Sequence, residues 1–296
     1  MRIGVTGSSG LLGTALRQQL EAEGHEVRRF VRGHPDNPAA TWDPASGWIR
    51  PGALEVLDAV VHLAGESIGE GRWTPSRKAA LRNSRIDSTR LLVSQMQGMA
   101  KPPALISASA IGFYGNRGDE VLDESSRGGE GFLAHLTADW EAEVLKARET
   151  GARTVVLRLG VVLASTGGAL ARMARPFKFA AGGRLGSGRQ WFSWISLTDA
   201  VAAIQRAVTT DMEGVYNVTA PVPVTNRDLT KALAATLRRP ALFPVPPIAL
   251  RVMLGGAADE LLLASQRVIP RRLQEAGFTF RYPEFSGALR VALKGA

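Results

Sequence analysis

Short apolar runs alternate with longer amphipathic stretches through the first half of the chain. Residues 3–6, 27–31, 59–64, 104–108 and 154–159 form such runs, and several are apolar at consecutive positions. A strand that is apolar on both faces needs cover on both, as in a parallel sheet sandwiched by helices. Between the runs the period lengthens. Leu12, Leu16 and Leu20 fall at i, i+4 and i+8 of a predicted helix over 11–23, which Gly24 stops. Further helices are predicted over 77–97 and 133–150, the second also ending at a glycine, Gly151. Alternation of this kind predicts an α/β fold with a doubly wound parallel sheet and right-handed crossovers.

Beyond residue 165 the segments shorten and glycine and proline become frequent, as at Gly167-Gly168, Gly182-Gly183, Gly186-Ser187-Gly188 and 240–247. One more strand, 214–218, is predicted to rejoin the sheet. Thr225 and Asp228 have the spacing of a capping box opening a helix that runs to Leu237. The tail from Ala249 predicts one or two helices and a short strand at 278–282. The expected organisation is a larger domain of residues 1–165 plus roughly 196–220, and a smaller C-terminal α/β region of 166–195 and 221–296.

Composition narrows the class. A hydrophobic content of 45% with 21% charged residues is that of an ordinary soluble globular protein. No apolar run approaches the roughly 20 residues that span a bilayer, so no membrane partner is expected. The first residues pass straight into a glycine loop rather than through a basic leader, so a signal peptide is not expected either. The absence of cysteine rules out disulfides, thiolate metal sites and a cysteine nucleophile; no metal site is expected, and the expected compartment is the cytoplasm. The net charge of +9 raises a nucleic-acid reading. The basic residues are scattered, however, apart from pairs such as Arg28-Arg29, Arg238-Arg239 and Arg271-Arg272. A solvated basic surface fits that scatter, and no nucleic-acid partner is expected.

The strongest local signal is Gly7-Ser8-Ser9-Gly10-Leu11-Leu12-Gly13, with glycines at i, i+3 and i+6, directly after a predicted strand and opening a predicted helix. In a dinucleotide-binding (Rossmann) unit one glycine permits the tight turn, one lets the backbone approach the pyrophosphate, and one lets helix and strand pack closely. All seven residues are therefore candidate cofactor contacts, and the larger domain is the expected dinucleotide-binding domain. The second strand ends in Arg28-Arg29-Phe30-Val31-Arg32, with no carboxylate before Asp36. A carboxylate there accepts the ribose 2′-hydroxyl of NAD, whereas a guanidinium pairs with a 2′-phosphate. The expected cofactor is NADP(H), with Arg32 as first choice for the 2′-phosphate, Arg29 as second, and a solvent-facing arginine as the alternative.

The motifs TGSSGLLG (6–13), HLAG (62–65), SASAIGFYG (107–115) and GVYNVTA (214–220) follow the order of the extended and atypical short-chain dehydrogenase/reductases. More narrowly, the chain resembles the atypical NAD-dependent epimerase/dehydratase-like group with a small conserved C-terminal domain, the YfcH-like, SulA-related proteins. That resemblance rests on GESI (65–68), RW (72–73), SR (84–85), DWEAE (139–143), RLGVVL (158–163), GSGRQWFSWI (186–195) and SQRVIPRRLQEAGFTFRYP (265–283), and it covers essentially the whole chain. It implies further cofactor contacts. Leu63, Ala64 and Gly65 would pass the adenosine side, Arg85 would reach a phosphate, Ser107 would lie by the cofactor, and Val161 would lie by the nicotinamide. For Leu63 and Val161, core packing is the competing explanation.

In the working enzymes of the superfamily a Tyr and a Lys four residues apart sit on the helix after the serine-bearing strand, and the Lys helps to stabilise tyrosinate for acid–base work. Here that helix reads Phe132-Leu133-Ala134-His135-Leu136-Thr137, and the two positions fall on Leu133 and Thr137 or, shifted by one, on Phe132 and Leu136. Neither pair can do the chemistry. Ser109 matches the serine that binds the reacting oxygen, with strand capping as its alternative role. Tyr114 is a candidate substitute acid, with packing beside the pocket as the alternative. A surface position is expected for His135. Gln190 and Trp194, after the GSG loop, are candidate substrate contacts where extended members hold a nucleotide-sugar; a tryptophan-rich hinge explains them equally well. Two functions follow. One is an NADP(H)-binding epimerase or oxidoreductase-like enzyme acting on an unknown small molecule, nucleotide-sugar-like in one version. The other is a non-catalytic NADPH-binding regulator or scaffold. The oligomeric state is not legible.

Overall fold

The computed structural model describes residues 1–39, 41–165, 167–179, 181–241 and 243–294. Its centre is a six-stranded, wholly parallel sheet of β1 (Arg2–Thr6), β2 (Glu26–Phe30), β3 (Ala59–His62), β4 (Ala104–Ala110), β5 (Thr154–Leu159) and β6 (Gly214–Val218), in the order β6-β5-β4-β3-β1-β2. The helices, in chain order, are α1 (Leu11–Ala22), α2 (Pro75–Met96), α3 (Phe132–Leu145), α4 (Gly168–Lys178), α5 (Leu197–Thr209), α6 (Asn226–Leu237), α7 (Pro247–Leu254), α8 (Arg271–Glu275) and α9 (Phe285–Lys294).

Period-two alternation assigns the strand side chains to two cores. Ile3, Val5, Ala59, Val61, Ile106, Val155 and Leu157 pack under α1 and α5, with Leu16, Leu20, Val201 and Ile204 opposite them. Val60, Leu105 and Val156, the intervening residues, face α2 and α3 through Ile86, Leu92, Met96, Trp140 and Val144. Each fully buried aliphatic side chain contributes roughly 1.5–3 kcal/mol relative to exposure. Gly4 lies between Ile3 and Val5 and faces the second core. A methyl there would stand 2.7 Å from Leu57 and 2.8 Å from the Phe30 ring, so the strand needs glycine at that point.

A third core lies among α4, α6 and α9. Leu170, Phe177, Leu229, Leu233, Phe285 and Leu289 surround Trp194, whose ring meets Phe285 edge-on at 5.2 Å. The Thr225 hydroxyl accepts from the Asp228 N–H at 3.2 Å, as the capping-box spacing predicts. The predicted strand at 278–282 does not form. Asp199 takes the N–H groups of Arg281 at 2.7 Å and Tyr282 at 3.1 Å, while Phe278 and Phe280 pack edge-to-face at 4.8 Å. With those donors held by a carboxylate, no ladder is available to the segment. The helix predicted over 133–150 is also divided, α3 giving way to a 3-10 turn at Lys146–Thr150.

β6 is an edge strand, and side chains close it where a seventh strand would otherwise pair. Glu124 Oε1 accepts from the Asn217 N–H at 2.9 Å, and Arg272 Nη1 donates to the Val215 carbonyl at 2.7 Å. At the opposite edge, beyond β2, a small hairpin of Trp42–Asp43 and Trp48–Ile49 places the buried Trp42 ring against Phe30 at 5.9 Å.

Candidate functional site

The glycine loop joins β1 to α1 at the carboxyl end of the sheet. Gly7 adopts φ +64°, and a Cβ there would come within 2.8 Å of the Leu63 carbonyl. At Gly13 a Cβ would fall 2.2 Å from the Gly7 carbonyl oxygen and 2.8 Å from Ser8 Cα, so only glycine lets the helix start this close to its own loop. The Gly10 N–H donates to the Gly7 carbonyl at 3.0 Å and closes the turn. No side chain caps α1 at Gly10. The first N–H groups of α1 and its positive dipole end are thus directed out of the loop, the arrangement that receives a phosphate. Ser9 and Gly10 are exposed, Leu11 and Leu12 half-buried, and Ser8 buried.

Beside the loop stands a ring of arginines. Arg29 Nε donates to Ser8 Oγ at 3.3 Å, drawing the end of β2 onto the loop. Arg32 is 62% exposed and its Nη1 lies 4.0 Å from Glu66 Oε1. The other Glu66 oxygen pairs with Arg77 Nη1 at 3.2 Å. Arg85 is buried beneath: it donates to the Glu66 carbonyl at 3.0 Å and to the Leu81 carbonyl at 3.0 Å, lies against Gly65, and stands 5.4 Å from the Trp140 ring centre. Burial and the neighbouring Arg77 charge lower its pKa to about 10, against the opposing pull of Glu66. Arg85 remains a cation at neutral pH, but both bonded guanidinium nitrogens donate to backbone carbonyls, so it shapes the 65–66 turn.

Under the HLAG turn lies a polar cluster that the sequence reading missed. Thr6 Oγ1 accepts the N–H groups of Leu63 at 3.0 Å and Ala64 at 3.2 Å, so its own proton goes to His62 Nδ1, 2.8 Å away. His62 Nε2 then carries the ring hydrogen and faces Thr89 Oγ1 at 3.1 Å and Ser88 Oγ at 3.2 Å, and the Trp140 indole donates to Thr89 at 3.0 Å. Burial, with Arg85 nearby, pushes the His62 pKa down to about 3, so the ring is neutral. This cluster fixes the turn that Leu63, Ala64 and Gly65 present to the glycine loop.

At the other end of the cleft the candidate catalytic groups are turned inward. Ser109 Oγ donates to Glu141 Oε1 at 2.6 Å and is 3% exposed. Glu141 is held by Arg158 through Nε and Nη2, both at 2.8 Å. Tyr114 is completely buried, its hydroxyl facing the Asp123 carbonyl at 2.9 Å and Asn217 Oδ1 at 2.8 Å and accepting from Arg158 Nη1 at 2.9 Å. Burial raises the Tyr114 pKa against the pull of Arg158. A fully buried phenol whose oxygen is bonded to three internal partners does not face a ligand, and Tyr114 is corrected to a packing and hydrogen-bonding role. Ser107 is also fully buried, donating to the Ala108 carbonyl at 3.0 Å.

Leu133 and Thr137, the positions aligned with Tyr and Lys, are buried, and Thr137 Oγ1 donates to the Leu133 carbonyl at 2.7 Å. Gly131 supplies no cap to α3. Glu260, from the tail, does so instead: its oxygens accept the N–H groups of Phe132 at 3.0 Å and Leu133 at 2.7 Å. A cavity of about 280 Å³ opens here, walled by Gly112, Leu133, Arg251, Glu260 and Gln266. His135 is 67% exposed and pairs with Glu130 at 3.3 Å, the surface position expected of it.

Val161 is half-buried and pairs with Trp194 across a short parallel bridge. Trp194 is fully buried and its indole donates to the Val222 carbonyl at 3.0 Å, which corrects it from substrate contact to core residue. Gln190 donates both amide hydrogens inward, to the Leu185 and Leu262 carbonyls at 3.1 Å each, and so ties the GSG loop to the tail. Among the described residues no group of three or more His, Asp or Glu side chains is arranged to hold a metal, and no helix is long and apolar enough to cross a membrane.

A parallel sheet of this order, with a glycine loop at its β1–α1 crossover and arginines at the end of β2, defines a protein of the dinucleotide-binding (Rossmann) class. Residues 3–219 match the NAD dependent epimerase/dehydratase family and residues 245–292 match a domain of unknown function (DUF1731); the chain belongs to that epimerase/dehydratase family. It is 45% identical over 292 residues to the epimerase family protein Mb2239 of Mycobacterium bovis, covering 98% of this chain and 97% of that one. The crystal structure of human epimerase family protein SDR39U1 (isoform2) with NADPH superposes with a TM-score of 0.90 at 34% identity, covering 100% of both chains. UDP-glucose 4-epimerase of Thermus thermophilus in complex with NAD shares the fold, with a TM-score of 0.77 at 18% identity over 100% of this chain and 98% of that one.

Proposed function

We propose that this chain binds NADP(H) at the β1–α1 loop and serves as an oxidoreductase or epimerase-like enzyme for a small molecule. The carrying observation is the uncapped start of α1 at a loop that only glycine can close, with two arginines at the adjoining strand end. A pyrophosphate fits the free helix donors, and a 2′-phosphate fits Arg32 with Arg29 beside it. The NADPH in the SDR39U1 crystal structure supports the same choice. Leu63, Ala64 and Gly65 would form the adenosine wall, Val161 the nicotinamide wall, and the cavity beside Leu133 the substrate side, with residues 166–195 and 221–296 as the substrate-binding region. When bound, the cofactor supplies or accepts a hydride.

Titration of the protein with NADPH and NADH, followed by nicotinamide fluorescence, tests this reading. Arg32→Asp is expected to weaken NADPH by on the order of 10- to 100-fold, from a charged hydrogen bond worth roughly 1.5–3 kcal/mol, and to spare NADH. Equal losses for both cofactors would remove Arg32 from the 2′-phosphate.

One observation favours the second reading, a cofactor-binding regulator without turnover. Leu133 and Thr137 carry no acid–base group, and Ser109 and Tyr114 are bonded internally. A panel of ketones, enones and sugar nucleotides separates the two: net NADPH oxidation, or epimerisation of a sugar nucleotide followed by NMR, supports the enzyme, and cofactor binding with neither supports the regulator.

A further inference from the structure

Four guanidinium groups gather between the glycine loop and the turn after β3, and all four are tied to a short set of partners. Arg29 bonds Ser8, Arg32 and Arg77 flank the Glu66 carboxylate, and Arg85 holds the Glu66 backbone carbonyl. The Glu66 N–H donates to Ser84 Oγ at 3.1 Å, so this residue is pinned on both sides of its Cα. Arg77 adds a second clamp by donating to the Ser67 carbonyl at 2.5 Å. With its backbone pinned and Arg77 on its far oxygen, the Glu66 carboxylate keeps a partner when Arg32, 62% exposed and 4.0 Å away, moves.

We infer that Glu66 is the residue that sets the balance between NADPH and NADH. The inference rests on the cofactor site proposed above. A 2′-phosphate brought to Arg32 carries close to two negative charges into the neighbourhood of a fixed carboxylate. Arg32 must leave Glu66 to pair with it, and Glu66 then repels the phosphate. The same carboxylate is an acceptor for a ribose 2′-hydroxyl, the role that an acidic residue at the end of β2 fills in NAD sites and that this chain lacks there. Glu66 thus penalises the phosphorylated cofactor and accommodates the unphosphorylated one, from the end of the third strand instead of the second. Arg77 is its positioning residue: by engaging the far oxygen it keeps Glu66 from closing fully on Arg32.

Dissociation constants of NADPH and NADH for the native protein and Glu66→Gln at low ionic strength test the inference. The NADPH constant is expected to fall about three- to tenfold while the NADH constant holds or rises, as removing one partly exposed charge beside a dianion requires. The preference should converge on the native value in high salt, where exposed charges are screened. Arg77→Gln is expected to shift the preference toward NADH, and that shift should vanish in the Glu66→Gln, Arg77→Gln double variant. Melting temperatures without cofactor confirm that each variant is folded, and Arg77→Gln alone carries the test should Glu66→Gln fold poorly, an unshifted NADPH/NADH preference then overturning the role of Glu66. An unchanged NADPH/NADH ratio in Glu66→Gln, or an Arg77 effect that persists in the double variant, overturns the role of Glu66. A native protein that binds neither cofactor removes the site itself, and the inference with it.

Discussion

At the β1–α1 end of the sheet the helix start carries no side-chain cap, and Arg32 reaches into solvent. A few strands away, at the β4–β5 end, Ser109, Glu141, Arg158 and Tyr114 are buried and bonded to one another. The first region leaves donors and charge available for something outside the protein. The second consumes comparable chemistry internally. Polar groups at the carboxyl end of a parallel sheet are therefore no guarantee of catalysis: direction and partnership decide what each can do.

The largest expected effect lies in the closed region. Glu141→Gln leaves the buried Arg158 cation without its carboxylate and should cost about 3–5 kcal/mol of stability, read from urea unfolding. Replacing both partners by leucine should cost clearly less. If Glu141→Gln unfolds like the native protein, the pair is not the internal anchor described. In the open region Gly13→Ala drives a methyl onto the Gly7 carbonyl oxygen. It should destabilise by roughly 1–3 kcal/mol and weaken NADPH on the order of tenfold, because the backbone that meets the phosphates must shift. Retained affinity would show that the loop tolerates side chains there.

The smallest effect sits between the two regions, at His62. Its folded pKa of about 3 lies below the ordinary value of 6.5, so folding excludes the proton. Its contribution to stability is fully present above pH 6.5 and is lost as pH falls toward 3. Between pH 7 and 5.5 the loss should be about 1 kcal/mol, and His62→Gln should be less sensitive over that range. Identical pH profiles for the two proteins would mean that His62 titrates normally.

Local rules made much of the fold legible. The strands at Thr154–Leu159 and Gly214–Val218 and the helix opened by Thr225 needed only apolar runs and a cap. The glycine loop was readable because its three glycines sit between a strand and a helix. What escaped depends on partners remote in sequence. DWEAE and RLGVVL stand out as motifs, yet nothing local shows that Glu141 and Arg158 meet, or that they capture Ser109 and Tyr114. Trp194 stays open between ligand contact and structural hinge for the same reason: its aromatic surface suits a ligand as well as Phe285. The strand predicted at 278–282 failed because Asp199, some eighty residues earlier, takes its donors. Glu66 was visible only as one letter of GESI; its meaning comes from the arginines on either side.

The Glu260 cap on α3 bears on the order in which the chain is made. A nascent chain carrying everything through Leu145 still lacks the carboxylate that satisfies the first donors of α3, which lies 127 residues beyond Leu133. Synthesis must pass the middle of the tail before that helix is finished. The same stretch delivers Arg272 to the open edge of β6. A chain halted before residue 260 therefore has a frayed helix and a β6 edge left to Glu124 alone, a species suited to chaperones and proteases.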